Sequence, residues 1–187
     1  MTFEKLDIDH ARDLSLIIFE TPRVIVRQYT MEDADDFFAL NSDEEVMRYI
    51  RSVKSREECD EFLRQNLNFY KAHPGLGRWA AFEKEAKVFI GSLALIPIKE
   101  GDERIQIGYA LKPSAWGKGF ATELVKAGIP FFFSCQKHKY LYAVTEEPNV
   151  VSQKVLLKCG FKEDSFFMEN AKKLLMFKLE RNIKAIK

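Results

Sequence analysis

The chain has 187 residues, 47% hydrophobic and 30% charged, with 29 Lys and Arg against 28 Asp and Glu. That size and balance describe one soluble globular domain with room for a sizeable core, and they remove any electrostatic case for nucleic acid or an anionic membrane. No apolar run approaches the roughly 20 residues of a membrane span, and MTFEKLDIDHARD is too charged for a secretory signal. Three cysteines in no metal-ligand spacing argue against disulfides and zinc, so the expected setting is the reducing cytoplasm with no metal.

Residues 1–20 read as an N-terminal extension in which LSLIIFE is either a short strand or a packing segment. RVIVRQY (23–29) alternates and is β-branched, the pattern of a strand. Thr30 with Asp33, and Ser55 with Glu58, have capping-box spacing and predict two helices, the second carrying Phe62, Leu63, Leu67 and Tyr70. Between them, 41–54 reads as a loop with one helical turn. HPGLG (73–77) is punctuation, after which 79–83 and 88–96 predict an antiparallel hairpin.

The chain is organised around 105–133, IQIGYALKPSAWGKGFATELVKAGIPFFF. An apolar strand gives way to the turn Trp116-Gly117-Lys118-Gly119, and then Phe120, Leu124, Ala127 and Gly128 recur at helical spacing. A helix leaves its first N–H groups without internal partners, and glycines let an anion approach them closely, so this geometry predicts a phosphate-bearing ligand. The Walker spacing is absent, and the dinucleotide fingerprint is incomplete because Thr122 follows Gly117 and Gly119. Downstream, 140–144 predicts a strand parallel to 105–111 through a right-handed crossover. A short helix over 150–158 ends at Gly160, and closing strands follow over 161–168 and 174–179. Residues 181–187 form a basic tail, expected to fray.

In its surroundings the turn resembles the GCN5-related N-acetyltransferases, and most of all the branch that acetylates ribosomal-protein N-termini. WGKGFA (116–121) stands where the family has [Q/R]-x-x-G-x-[G/A], with Trp116 in place of Gln or Arg. Asn149-x-x-Ser152 followed by Lys158-Cys159-Gly160-Phe161 resembles the family's second motif, and TPRVIVRQYTMEDADDFF resembles the branch's opening strand and helix. The resemblance spans roughly 21–180, taken as the N-acetyltransferase domain. It implies an α+β fold: a mixed, mostly antiparallel twisted sheet of about seven strands, about four helices, and a splayed parallel pair holding coenzyme A.

It also implies a set of roles. The amides of Trp116, Gly117, Lys118, Gly119, Phe120, Ala121 and Thr122 hold the pyrophosphate of acetyl-CoA. Gly108, Tyr109, Ala110 and Leu111 bond the pantetheine arm, with an N–H near Tyr109 or Ala110 polarising the thioester carbonyl. Asn149 bonds the pantetheine amides, and Ser152 assists the departing thiolate. On spacing alone, Asn149 reads rather as a helix N-cap and Ser152 as an ordinary first-turn residue; the whole motif turns the reading toward function. Relatives carry Glu where this chain has Gln106, so the resemblance supplies no general base, and Glu103, His10, His73 and His138 read as bystanders. An α-amine, with a pKa near 8, is easier to deprotonate than lysine, which favours a protein N-terminus as acceptor. A polyamine or aminoglycoside acceptor, and a non-catalytic acyl-CoA-binding module, are the alternatives. Dimers occur in the family, but no residue here argues for one. Phe131, Phe132 and Phe133 read as core, Trp79 as core or pocket wall, and Cys59, Cys135 and Cys159 as small buried hydrophobes.

Overall fold

The alternating strands and capped helices read from the sequence assemble into one open sheet with helices on both faces. The computed structural model describes residues 16–182. Its strands are β1 (Ile17–Glu20), β2 (Val24–Gln28), β3 (Gly77–Glu83), β4 (Val88–Pro97), β5 (Ile105–Leu111), β6 (Tyr140–Glu146), β7 (Lys162–Glu169) and β8 (Lys172–Glu180). They lie in the order β1-β2-β3-β4-β5-β6-β8-β7. Only β5 and β6 are parallel; every other neighbouring pair is antiparallel. The helices are α1 (Ala34–Asn41), α2 (Glu44–Met47), α3 (Arg56–Ala72), α4 (Phe120–Cys135) and α5 (Val150–Lys158).

Among the described residues, eight strands and five helices exceed the expected seven and four. The extra strand is β1, the IIFE part of the LSLIIFE segment, and four residues are too few to show a period. The extra helix is the single turn α2, capped by Asp43 Oδ1 accepting from the N–H groups of Glu45 and Val46. Arg181, expected to fray, is tied down: its N–H donates to Lys139 O at 2.8 Å and its Nε to His138 O at 3.1 Å. The rest of the tail, and most of residues 1–20, lie outside the described residues.

Alternation along each strand sends neighbouring side chains to opposite faces. On β3, Trp79 and Ala81 join the larger cluster with Leu93, Ile107, Phe120, Leu124, Phe132 and Leu141. Ala80 joins the other, with Tyr29, Phe37, Leu40, Met47, Cys59 and Leu63. The first cluster is covered by α4 and α5, the second by α1 and α3. Trp79 is therefore core. Gly128 lets α4 settle on β5, since a Cβ there would stand 2.9 Å from Ile107 Cδ1.

Both capping boxes form. Ser55 N–H donates to Glu58 Oε2 at 2.8 Å, and Thr30 N–H to Asp33 Oδ2 at 2.7 Å. Asp33 is also gripped by the Arg27 guanidinium through two bonds of 2.7 and 2.8 Å. Held at both ends, 31–33 winds as a 3-10 turn before α1 begins.

Candidate functional site: a cleft between splayed strands

Strand β5 is bonded along its whole length to β4, from Gly91↔Leu111 to Pro97↔Ile105, but meets β6 at one register pair, Gln106↔Tyr142. Beyond that rung the two strands diverge, and Gly108–Leu111 faces a gap instead of a ladder. An open cleft of about 1930 Å³ runs through it. That exceeds the roughly 300–1,000 Å³ typical of one drug-sized ligand, so there is room for two reactants.

At one end stands the glycine turn. Gly117 (φ 71°) and Gly119 (φ 83°) are both left-handed, a conformation costing an L side chain roughly 1–2 kcal/mol. Gly119 is the N-cap of α4 and offers no side chain, so the first amides of the helix are left for an external acceptor. The turn is clamped from behind. Arg23 donates through Nη1 to Lys118 O (3.0 Å) and through Nε to Glu123 Oε2 (2.7 Å), while lying 4.5 Å over the Phe120 ring. Thr21 Oγ1 donates to Glu123 Oε1 at 2.6 Å. Burial pushes the Glu123 carboxyl up, but the bonds from Thr21 and Arg23 outweigh it and hold the group below the usual glutamate range. A first-turn acid beside an anion site is thus neutralised in place.

In the gap, Tyr109 reaches from β5 to the first turn of α5, where its hydroxyl lies 2.8 Å from Ser152 Oγ. Burial raises the Tyr109 pKa, with the Ser152 hydrogen bond opposing, so the phenol stays protonated at neutral pH. Asn149 Oδ1 accepts from Ser152 N–H at 3.2 Å, so the N-cap role is the one realised. Trp116 is 42% exposed, its indole N–H donating to Leu111 O at 2.8 Å and bracing the turn against the strand.

The cleft is lined by Gly108, Tyr109, Ala110, Leu111, Trp116, Gly117, Gly119, Phe120, Ala121, Thr122, Asn149 and Ser152. The Phe120 side chain is core, which leaves its backbone as the part able to meet a ligand. Lys118 is the exception: its side chain is exposed outside the cleft lining and its carbonyl belongs to Arg23. Gln106 donates from its amide to Ile98 O at 3.3 Å. Glu103 and His73 are exposed, His138 Nε2 pairs with Glu103 O, and His10 lies outside the described residues. Two cysteine expectations are corrected. Cys59 is buried, but Cys135 is exposed at the end of α4 and Cys159 is half-buried beside Thr122 O. Sequence reasoning misses the clamp of Thr21, Arg23 and Glu123, and it gives Tyr109 a backbone role without its hydroxyl. Glu123 carried a signal, since an acid in the first turn of an anion-binding helix requires a nearby cation.

The family model described as the acetyltransferase (GNAT) domain matches residues 23–162. The chain belongs to this GNAT acetyltransferase family, whose members use acetyl-CoA, and it is an N-acetyltransferase. It is 32% identical over 149 residues to the N-acetyltransferase YoaA of Bacillus subtilis, covering 79% of this chain and 84% of that one. Its fold is similar to the Salmonella typhimurium acetyltransferase that modifies the N-terminal serine of ribosomal protein L7/L12 (TM-score 0.75, 15% identity, 89% and 99% of the two chains). It is also similar to spermidine N-acetyltransferase from Vibrio cholerae, solved with CoA and spermine (TM-score 0.72, 19% identity, 86% and 96%). Among the described residues no group of His, Cys, Asp or Glu could hold a metal, and no helix is long and apolar enough to cross a membrane.

Proposed function

We propose that this cleft acetylates an α-amine, of the protein N-terminal kind, by direct attack of the amine on the thioester of acetyl-CoA. Bound acetyl-CoA supplies the activated acyl group. The residues fit it: two left-handed glycines, an N-cap without a side chain, and a strand edge freed by the splay. The Gly117–Thr122 backbone would hold the pyrophosphate and Gly108–Leu111 the pantetheine arm. The observation that carries the reading is the Tyr109–Ser152 pair, a protonated phenol and a hydroxyl 2.8 Å apart in the gap between the strands. There they can protonate a departing thiolate.

Among the described residues nothing comparable is poised as a base. Gln106 cannot take a proton, and Glu146 is engaged by Lys172 Nζ at 2.5 Å. Glu45, Glu100 and Glu169 are exposed. Deprotonation near pH 7 costs roughly 1 kcal/mol for an α-amine and roughly 4–5 for lysine, so a site without a strong base serves the first far better. The test is thermal unfolding with acetyl-CoA, then thiol release against N-terminal peptides and polyamines. Ligand at about 100 times its Kd stabilises by about 2.7 kcal/mol. No shift ends the acetyl-CoA reading. A shift without turnover on any acceptor favours a non-catalytic acyl-CoA-binding module, and turnover on spermidine alone favours the polyamine reading.

A further inference from the structure

The acceptor end of the cleft holds a group of cations that the proposed transfer does not use. Around the Phe62 ring of α3 stand Arg78 of β3 (Cζ 4.8 Å from the centroid), Arg51 (4.9 Å) and Lys54 (5.5 Å). Arg51, Phe62 and Arg78 line the cleft. Most other arginines of the described residues face carboxylates: Arg23 has Glu123, Arg27 has Asp33, Arg56 has Asp35 and Asp60; Arg48 is exposed and Arg181 donates to backbone carbonyls. Arg51 and Arg78 are half-buried and, among the described residues, have no carboxylate within ion-pair distance.

Two further observations show what is missing. Arg51 Nε is buried with no hydrogen-bond partner. Burial lowers both arginine pKa values. That of Arg78, further depressed by the charge of Arg51, falls to about 10. Desolvated like charges and unpaired donors are costly, and a counter-anion is what relieves them. Among the described residues the chain supplies none within ion-pair distance, and the two arginine side chains open onto a cleft that admits ligands.

The register gives the distance to the reacting centre. Arg78 pairs with Ala94 and Ala94 with Gly108, one row across β3, β4 and β5. Two strand spacings separate the Cα atoms of Arg78 and Gly108 by roughly 10 Å. Ala94 and Gly108 leave that row without bulky side chains, a trough between the guanidinium and the gap at Gly108. At roughly 3.5 Å per extended residue, an amine at Gly108 puts the side chain of the acceptor's second or third residue at the arginines.

We propose that Arg51 and Arg78 form an anion subsite for the acceptor, so that the preferred substrate is a peptide N-terminus with Asp or Glu at its second or third position. This rests on the α-amine reading above. It sets the acceptor apart from polyamines, which two unpaired guanidiniums repel.

The test uses the full chain with acetyl-CoA and peptide pairs differing only by Glu or Gln at the second or third residue. The Glu member is expected to show KM lower by about tenfold, the scale of one charge-assisted hydrogen-bonded contact. Arg78→Met and Arg51→Gln are each expected to bring that ratio toward one. Their folding is checked by stabilisation with acetyl-CoA, and Arg51, outside any strand, guards against misfolding of the β3 variant. A second readout needs no turnover: calorimetric binding of the N-acetylated peptides to the enzyme–CoA complex. Equal KM and equal Kd for Glu and Gln members overturn the subsite. Glu-dependent binding with no turnover on any peptide keeps the subsite and overturns the α-amine reading instead.

Discussion

At the glycine-turn end of the cleft the groups facing a ligand are main-chain amides; at the acceptor end they are side chains. The first end is shaped by left-handed Gly117 and Gly119 and the bare N-cap of α4, with Thr21, Arg23 and Glu123 holding the turn from behind. The second is shaped by Arg51, Phe62 and Arg78, drawn from a loop, a helix and a strand. A backbone site tolerates few changes of conformation and is indifferent to most side chains. A side-chain site is the reverse, and can be retuned without disturbing the fold. On the proposed reading, the shared reactant meets the first end and the selective one the second.

The largest expected effect lies between the two ends. Tyr109→Phe removes the phenol beside Ser152 and is expected to lower kcat by about 100-fold, the low end for a general acid, while KM for acetyl-CoA stays within about twofold. A kcat near that of the native chain would take the proton donor away from Tyr109. Next is Gly119→Val. A β-branched residue at φ 83° is strained by about 1–3 kcal/mol, so Kd for acetyl-CoA by calorimetry should rise by about tenfold or more. Unchanged affinity would put the ligand elsewhere and dissolve the contrast.

Smaller effects sharpen it. Arg23→Ala releases the Lys118 carbonyl, and Kd for acetyl-CoA is expected to rise about fivefold, the scale of one hydrogen bond. Because Glu123 is held below the ordinary glutamate pKa, the stabilisation from its bonds is full above about pH 4.3 and is lost as pH falls through the folded value. The Tm difference between the native chain and Glu123→Gln should therefore be present at neutral pH and close below about pH 4. The smallest effect is on the pH profile. With an α-amine acceptor, kcat/KM should rise to about pH 8 and then level off. It should not fall before about pH 10, since burial keeps the Tyr109 proton in place beyond its usual range. A fall beginning nearer neutrality would reveal another essential acid.

How much of this was legible in the sequence follows from the same contrast. WGKGFA, the Thr30 and Ser55 capping boxes and the β-branched strands each write their geometry into a few adjacent residues, and each formed. The turn was readable because only glycine is at ease at φ 71° and 83°. Arg51, Phe62 and Arg78 are far apart in the chain and meet only through α3 packing on β3, so no local spacing marks them. The Arg23–Glu123 clamp spans 100 residues. Asn149 shows a further limit: one residue type at one position fits both a cap and a ligand contact, and only the fold shows the cap formed. The four residues of β1 carry too little period to separate a strand from a packing segment.

The single rung Gln106↔Tyr142 makes the sheet two half-sheets, β1–β5 and β6 with β8 and β7, meeting at one point. A sheet joined along a full ladder can change its opening only by breaking hydrogen bonds in sequence. One joined at a rung turns about it, as a clasp does, and resistance comes from α4 packing behind and from the Tyr109–Ser152 bond across the mouth. The bond proposed to face the leaving group would thus also be the latch on the clasp, and replacing Tyr109 with Phe should speed amide hydrogen exchange along Gly108–Leu111 as well as slow the reaction.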